Sequence, residues 1–230
     1  MDTFMSKRHV SLREAERKAE ELFRAIEERG IIRSGVTEKQ INQEIYNLAF
    51  EMFGIKKYWH KRIVRAGKNT LHPYSENPPD LMVAKDDILF LDFGPIFEDW
   101  EADFGRTFVL GEDPAKIKLT NDIAEAWREG KRYFQSQPNI TGSELYAYVY
   151  DLAIQYGWEF GGPHAGHLIG EFPHEVIQGD DVENYIHPDN HIPMREPDAN
   201  GNPRDWILEI HFVDRKLGIG GFVEQLLTVE

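Results

Sequence analysis

Ile88-Leu89-Phe90-Leu91-Asp92-Phe93-Gly94-Pro95-Ile96-Phe97-Glu98-Asp99-Trp100-Glu101-Ala102-Asp103-Phe104-Gly105-Arg106-Thr107-Phe108-Val109 reads as an antiparallel hairpin with an acid on each arm. An apolar run leads into Asp92, a turn-like Glu98-Asp99 follows, and the chain returns through Asp103. A turn centred near Phe97-Glu98 would set Asp92 opposite Asp103 on one side of the ladder. The pattern recurs at residues 207–213 and 222–227, where a turn near Lys216-Leu217 would oppose Glu209 and Glu224. One acid in such a strand is ordinarily a solvated residue. Two opposed acid pairs among Leu, Ile and Phe are destabilising unless a cation lies between their members. Four carboxylates carry four negative charges, which two divalent ions would cancel. His167, flanked by glycines between the two hairpins, adds an imidazole to this oxygen-rich set. Such donors favour Mn, Co, Zn or Fe over a thiolate-selected metal, with Mn placed first.

The 230 residues, 41% of them hydrophobic, are enough to bury a substantial core, and a single domain over 1–230 without a separate N-terminal domain is expected. A net charge of −14 argues against nucleic acid or an anionic membrane as partner, because no basic face is available to release counterions. With no cysteine, disulfides and thiolate zinc sites are excluded, which suits a reducing cytoplasm. Neither an apolar leader at residues 1–10 nor a membrane-length apolar window occurs in the sequence.

Working outward, residues 11–29 carry apolar side chains at helical spacing and run into Gly30, predicting a surface helix. Thr37 is placed to cap a second helix through Ile41, Ile45, Leu48, Ala49 and Met52 to Gly54. About a hundred residues later Thr141 opens the same pattern, with Leu145, Val149, Leu152, Ala153 and Tyr156 before Gly157. Each of these helices precedes one acid-bearing hairpin. The chain is therefore expected to be α+β, with two helix-helix-hairpin halves packed about a pseudo-twofold axis that brings the acid pairs together. The polar stretch 179–205 reads as a functional rim, a lid or a subunit contact.

Gly166 and Gly170 allow the backbone to turn closely about His167. His174, seven residues on, is placed to face substrate instead of metal. His72, in Leu71-His72-Pro73-Tyr74-Ser75-Glu76-Asn77, precedes the first hairpin. Taken singly, either histidine reads as a surface or capping residue; beside metal-ligand candidates they gain a functional reading.

Together these residues resemble the pita-bread metallopeptidases: methionine aminopeptidase, aminopeptidase P, prolidase and creatinase. The family's ordered ligands Asp, Asp, His, Glu, Glu match Asp92, Asp103, His167, Glu209 and Glu224. Asp103-Phe104-Gly105-Arg106-Thr107-Phe108 follows the Asp-x-x-Arg-Thr-Phe pattern of the Xaa-Pro branch, and the His72 stretch is similar to its histidine loop with one residue inserted. Differences from that branch are Phe222 for an arginine, Ile210 for a proline, and an upstream histidine displaced to His164. The resemblance implies a central curved antiparallel sheet, two metal ions, a homodimer, and a small peptide or other small amide as substrate. It further implies a dinuclear aminopeptidase of Xaa-Pro type that cleaves the N-terminal peptide bond through a metal-bridging hydroxide. Asp92 would hold one ion and His167 the other, Asp103 and Glu224 would bridge them, and Glu209 would both ligate and move protons. His72 and His174 would donate to the oxyanion. A creatinase-like hydrolase of a non-peptide carbon–nitrogen bond, or an inactive binding module, stays open as an alternative.

Overall fold

The computed structural model describes residues 7–173, 182–198 and 201–229. Helices α1 (Lys7–Glu28) and α2 (Glu38–Phe53) precede strands β1 (Ile63–Ala66), β2 (Ile88–Phe93), β3 (Ile96–Phe97), β4 (Trp100–Glu101) and β5 (Phe104–Val109). Helices α3 (Pro114–Ser136) and α4 (Gly142–Tyr156) then precede β6 (Glu159–Phe160), β7 (Leu168–Ile169), β8 (Asp205–Asp214) and β9 (Ile219–Leu226). The main antiparallel sheet runs β1-β2-β5-β9-β8-β6, with β7 also paired to β8. Read from its middle outward, each half of the sheet repeats the other, so the α-α-β-β-β order is duplicated about the β5–β9 seam. Among the described residues, no helix is long and apolar enough to cross a membrane.

The repeated helix signals have one physical cause. At Thr37 and Thr141 the side chain accepts the amide three residues on, while Gln40 and Glu144 reach back to the threonine amides at 2.8 Å. This reciprocal cap satisfies two amides that a helix start leaves unpaired. Both helices end on a glycine in the left-handed region, Gly54 at φ 69° and Gly157 at φ 86°. The first helix begins earlier than its periodicity suggested, at Lys7, and buries Leu12, Ala15, Ala19, Leu22, Phe23 and Ile26.

Strand alternation then separates core from site. Leu89, Leu91 and Phe93 pack with α1 and α2, while Leu208, Ile210 and Phe212 pack with α3 and α4. Their odd-and-even neighbours Phe90, Asp92, Glu209 and His211 point to the opposite face and line one cavity. Buried Glu38, at the start of α2, accepts from the Ala66 and Leu81 amides and from Asn69. That clamp fixes the loop between β1 and β2. Thr70 of the same loop accepts from His211 Nε2 at 2.7 Å and from the Gly220 amide at 2.7 Å, tying it to the other half of the sheet.

The register of the second hairpin is as expected, with Glu209 directly opposite Glu224. The first differs. Phe97 pairs with Trp100, so the turn is Glu98-Asp99, and Glu98 adopts φ 59°. Moving the turn centre by one residue shifts every partner by two, and Asp92 faces Gly105 instead of Asp103. Because the shift is even, Asp103 keeps the same face as Asp92, one diagonal step away.

Candidate metal centre

Asp92 on β2, Gly105 on β5, Glu224 on β9 and Glu209 on β8 are consecutive partners across the four central strands. Gly105 is the member of this row without a side chain. A Cβ there would stand 2.7 Å from the Phe222 ring and 3.1 Å from the Glu224 Cβ, so its absence keeps the middle of the row open. Asp103 lies just before β5 and projects into the same space. His167 arrives from the second half on a backbone that only glycine permits. Gly166 has φ 135°, and a Cβ there would meet the Ile207 carbonyl oxygen at 2.1 Å. The approach is held by the Ile207 amide donating to His167 O at 2.9 Å and the Glu209 amide donating to Ala165 O at 3.0 Å.

His167 Nδ1 donates to the Leu168 carbonyl at 2.8 Å, leaving Nε2 3.1 Å from Asp103 Oδ2 and 3.5 Å from Glu224 Oε1. Asp92, Asp103, His167 and Glu224 are 6%, 1%, 6% and 1% exposed, a depth at which carboxylates are rare unless paired or bound to metal. The five residues matched to the ligand order therefore converge on one wall of a cavity of about 480 Å³. Its remaining walls are largely aromatic, including Trp59, Tyr74, Phe90, Phe172, Tyr185 and Phe222. That combination of an apolar enclosure with a few convergent polar groups is typical of small-ligand sites.

Two of the cavity's other histidines reach the matched carboxylates. His60 Nε2 lies 3.0 Å from Asp103 Oδ1 and 3.5 Å from Asp92 Oδ1. His164 Nδ1 lies 2.9 Å from Glu209 Oε1. His60 carries no sequence signal of its own, whereas His164 belongs to the glycine-rich stretch around His167. His72 lines the cavity at its rim and engages Glu76 at 2.5 Å through Nδ1, away from the carboxylate row. His174 lies outside the described residues.

The electrostatics show what the site lacks. Burial drives Asp92 from its ordinary 3.8 to about 7, against the pull of His60 and with Asp103 and Glu209 adding to the rise. Burial, with Asp103, Asp92 and Glu209 adding to it, lifts Glu224 well above 4.5. Glu209 itself is held low, because His164 and His167 outweigh its burial. Asp103 falls to about 2, its burial overcome by His60 and His167. His60 rises to about 9, since Asp103 and Asp92 more than reverse the effect of burying it. Protons thus collect where four carboxylates, three of them buried, need positive charge, and divalent cations would supply the same neutralisation. Among the described residues, Asp92 Oδ1 is buried without a hydrogen-bond partner. Hard oxygen donors with borderline imidazoles fit a metal such as Mn, Co, Zn or Fe.

A duplicated α-α-β-β-β sheet that gathers acids and a histidine from both halves is the pita-bread architecture. Residues 10–199 match the model of metallopeptidase family M24, and the chain belongs to that family. It is 30% identical over 158 residues to the Xaa-Pro dipeptidase of Lactobacillus helveticus, covering 66% of this chain and 42% of that protein. It is 28% identical over 153 residues to the Xaa-Pro dipeptidase of Pyrococcus horikoshii, with the same two coverages. The fold matches the crystal structure of a dipeptidase from Pyrococcus horikoshii OT3 with a TM-score of 0.76 at 23% identity, covering 95% of this chain and 56% of that one. An X-Pro aminopeptidase from Thermotoga maritima MSB8 gives 0.76 at 22% identity, with 95% and 60% covered. The chain spans less than half the length of these curated relatives.

Proposed function

We propose that this chain carries a dinuclear metal-dependent aminopeptidase site of Xaa-Pro type, acting on the N-terminal peptide bond of small peptides. The observation that carries the proposal is the convergence of Asp92, Asp103, His167, Glu209 and Glu224 on one cavity, with Asp92 Oδ1 left without a donor among the described residues. These five residues would hold two divalent ions, Mn first. When bound, such ions supply Lewis acidity and lower the pKa of water. Glu209, poised as a carboxylate against His164, would take a proton from the attacking water and hand it to the leaving nitrogen. The aromatic walls would exclude bulk water and orient the substrate. His72 at the rim and His174 are assigned to hydrogen-bond donation toward the substrate carbonyl. A homodimer in the cytoplasm completes the proposal; it follows from the family resemblance and the absence of cysteine.

Phe222 supports a second reading. Its ring lies 5.3 Å from that of Phe90 and closes the cavity with an apolar wall where the Xaa-Pro branch has arginine. A small non-peptide amide would suit that wall. The test is hydrolysis of a panel of Xaa-Pro peptides, Met-initiated peptides and small non-peptide amides by protein stripped with chelator and reloaded with Mn, Co or Zn. Metal-restored cleavage of an Xaa-Pro bond is expected. Cleavage confined to non-peptide amides would replace the first reading with the second, and absence of metal binding would refute both.

A further inference from the structure

His60 and His167 approach Asp103 from opposite sides in the same way. His60 Nε2 is 3.0 Å from Asp103 Oδ1, and His167 Nε2 is 3.1 Å from Asp103 Oδ2. Each ring places Nδ1 2.8 Å from the carbonyl of its following residue, Lys61 for His60 and Leu168 for His167. A carbonyl only accepts, so Nδ1 carries a proton in both rings, and Nε2 is the nitrogen left to face the carboxylate, whether as N–H in the charged ring or as a lone pair in the neutral one. This is the orientation that metal-ligating histidines adopt, with the far nitrogen donating to a carbonyl. In the metal-free protein a proton on Nε2 can bridge the 3.0 Å to Asp103, and a bound cation would take that proton's place. Donors each about 2.1 Å from one ion at a right angle are about 3.0 Å apart, as His60 Nε2 and Asp103 Oδ1 are. Asp92 Oδ1, a buried acceptor without a hydrogen-bond partner among the described residues, is the third atom at this point, 3.5 Å from His60 Nε2.

The placement is built in. The Trp59 amide donates to Gly94 O at 2.9 Å and its indole to Ala102 O at 3.1 Å, anchoring the segment to both arms of the first hairpin. Gly94 leaves the room, because a Cβ there would stand 2.2 Å from the His60 ring. The Trp59 ring meets both imidazoles edge-on, at 4.5 Å from His60 and 5.2 Å from His167.

Resting on the two-ion site proposed above, we infer that His60 is a sixth protein ligand, binding through Nε2 the ion held by Asp92 and Asp103. Each ion then has one imidazole, and Asp103 presents one oxygen to each. In the protein loaded with two equivalents of Co(II), proton NMR should show two solvent-exchangeable, hyperfine-shifted imidazole N–H signals, one from each Nδ1. H60A and H167A should each remove a different one. Titration of chelator-stripped H60A with Co(II) should show one ion bound at least tenfold more weakly and the other unchanged. A single N–H signal in wild-type protein carrying two ions, with both affinities kept in H60A, would overturn the inference and leave the two-ion site standing. Wild-type protein that binds no cobalt would sink the site itself. The wild-type signal count decides the matter even if H60A does not fold.

Discussion

Replacing Gly166 by alanine should separate His167 from the rest of the site. At φ 135° the backbone lies where an L side chain is strained, by roughly 1–3 kcal/mol. The new Cβ would also stand 2.1 Å from Ile207 O, a backbone atom inside β8 that cannot swing aside as a side-chain tip would. Relief requires the 165–167 segment to lift from β8, which stretches the Ile207–His167 and Glu209–Ala165 hydrogen bonds at about 1 kcal/mol each. The sum is about 3–5 kcal/mol, together with displacement of His167 Nε2 from Asp103 and Glu224. Urea unfolding of chelator-stripped protein at pH 7 measures the first quantity, and Co(II) titration the second. Gly54→Ala is the control: φ there is 69° with nothing within 4 Å of a new Cβ, so it should cost about 1 kcal/mol and leave metal binding alone. A Gly166→Ala protein as stable as the Gly54→Ala control, with unchanged Co(II) affinity, would refute the reasoning.

Glu209→Gln should cut turnover at least a hundredfold while the protein remains folded, read by steady-state kinetics beside circular dichroism; wild-type kcat would remove Glu209 from its proposed role. Chelator-stripped protein should lose stability as pH rises from about 4 to 9. Asp92 is protonated in both states below its ordinary 3.8, and above about 7 the fold bears the full cost of ionising it, roughly 4 kcal/mol at ~1.4 kcal/mol per pH unit. His60 adds in the same direction, its contribution complete below 6.5 and lost as pH passes about 9. Thermal melts across that range check the slope, and saturating Mn should flatten it; a metal-free protein more stable at pH 8 than at pH 5 would contradict the assignment. Thr141→Ala should cost about 1 kcal/mol by urea unfolding with metal affinity unaltered, since the cap is remote from the carboxylates.

How far each feature was legible in the sequence depended on how locally it is encoded. Thr37 with Gln40, and Thr141 with Glu144, declare helix starts within four residues, and Gly54 and Gly157 declare the ends. The Glu209–Glu224 register was readable because Lys216-Leu217 centres a turn between two long apolar strands. The first hairpin was harder. Glu98-Asp99 was recognisable as the turn, but centring it one residue early moved Asp92 from Gly105 to Asp103, and only the positive φ of Glu98 resolves the count. The face occupied by both acids survived the error because strand alternation has a period of two. His60 left no trace. Its position depends on Trp59 bonding to Gly94 and Ala102 and on the space above Gly94, none of which is a pattern in neighbouring residues. His72 is the converse case: its motif-like context placed it at the cavity, where it lines the rim with Nδ1 engaged by Glu76.

The β5–β9 seam has a consequence for how the molecule bears load. Among the described residues these strands share one registered pair, Gly105 with Glu224, whereas β8 and β9 share eight. The join is reinforced by Thr107, which both donates to and accepts from the Phe222 backbone, and by Arg106, which donates to Glu224 O and Gln225 Oε1. Asp92 and Asp103 lie on one side of this thin join, and His167, Glu209 and Glu224 on the other. Ions held between them would act as rivets across the line where the sheet is weakest. Pulled apart from opposite ends, the metal-free protein should part first along that line, and the loaded protein should resist until a coordination bond breaks.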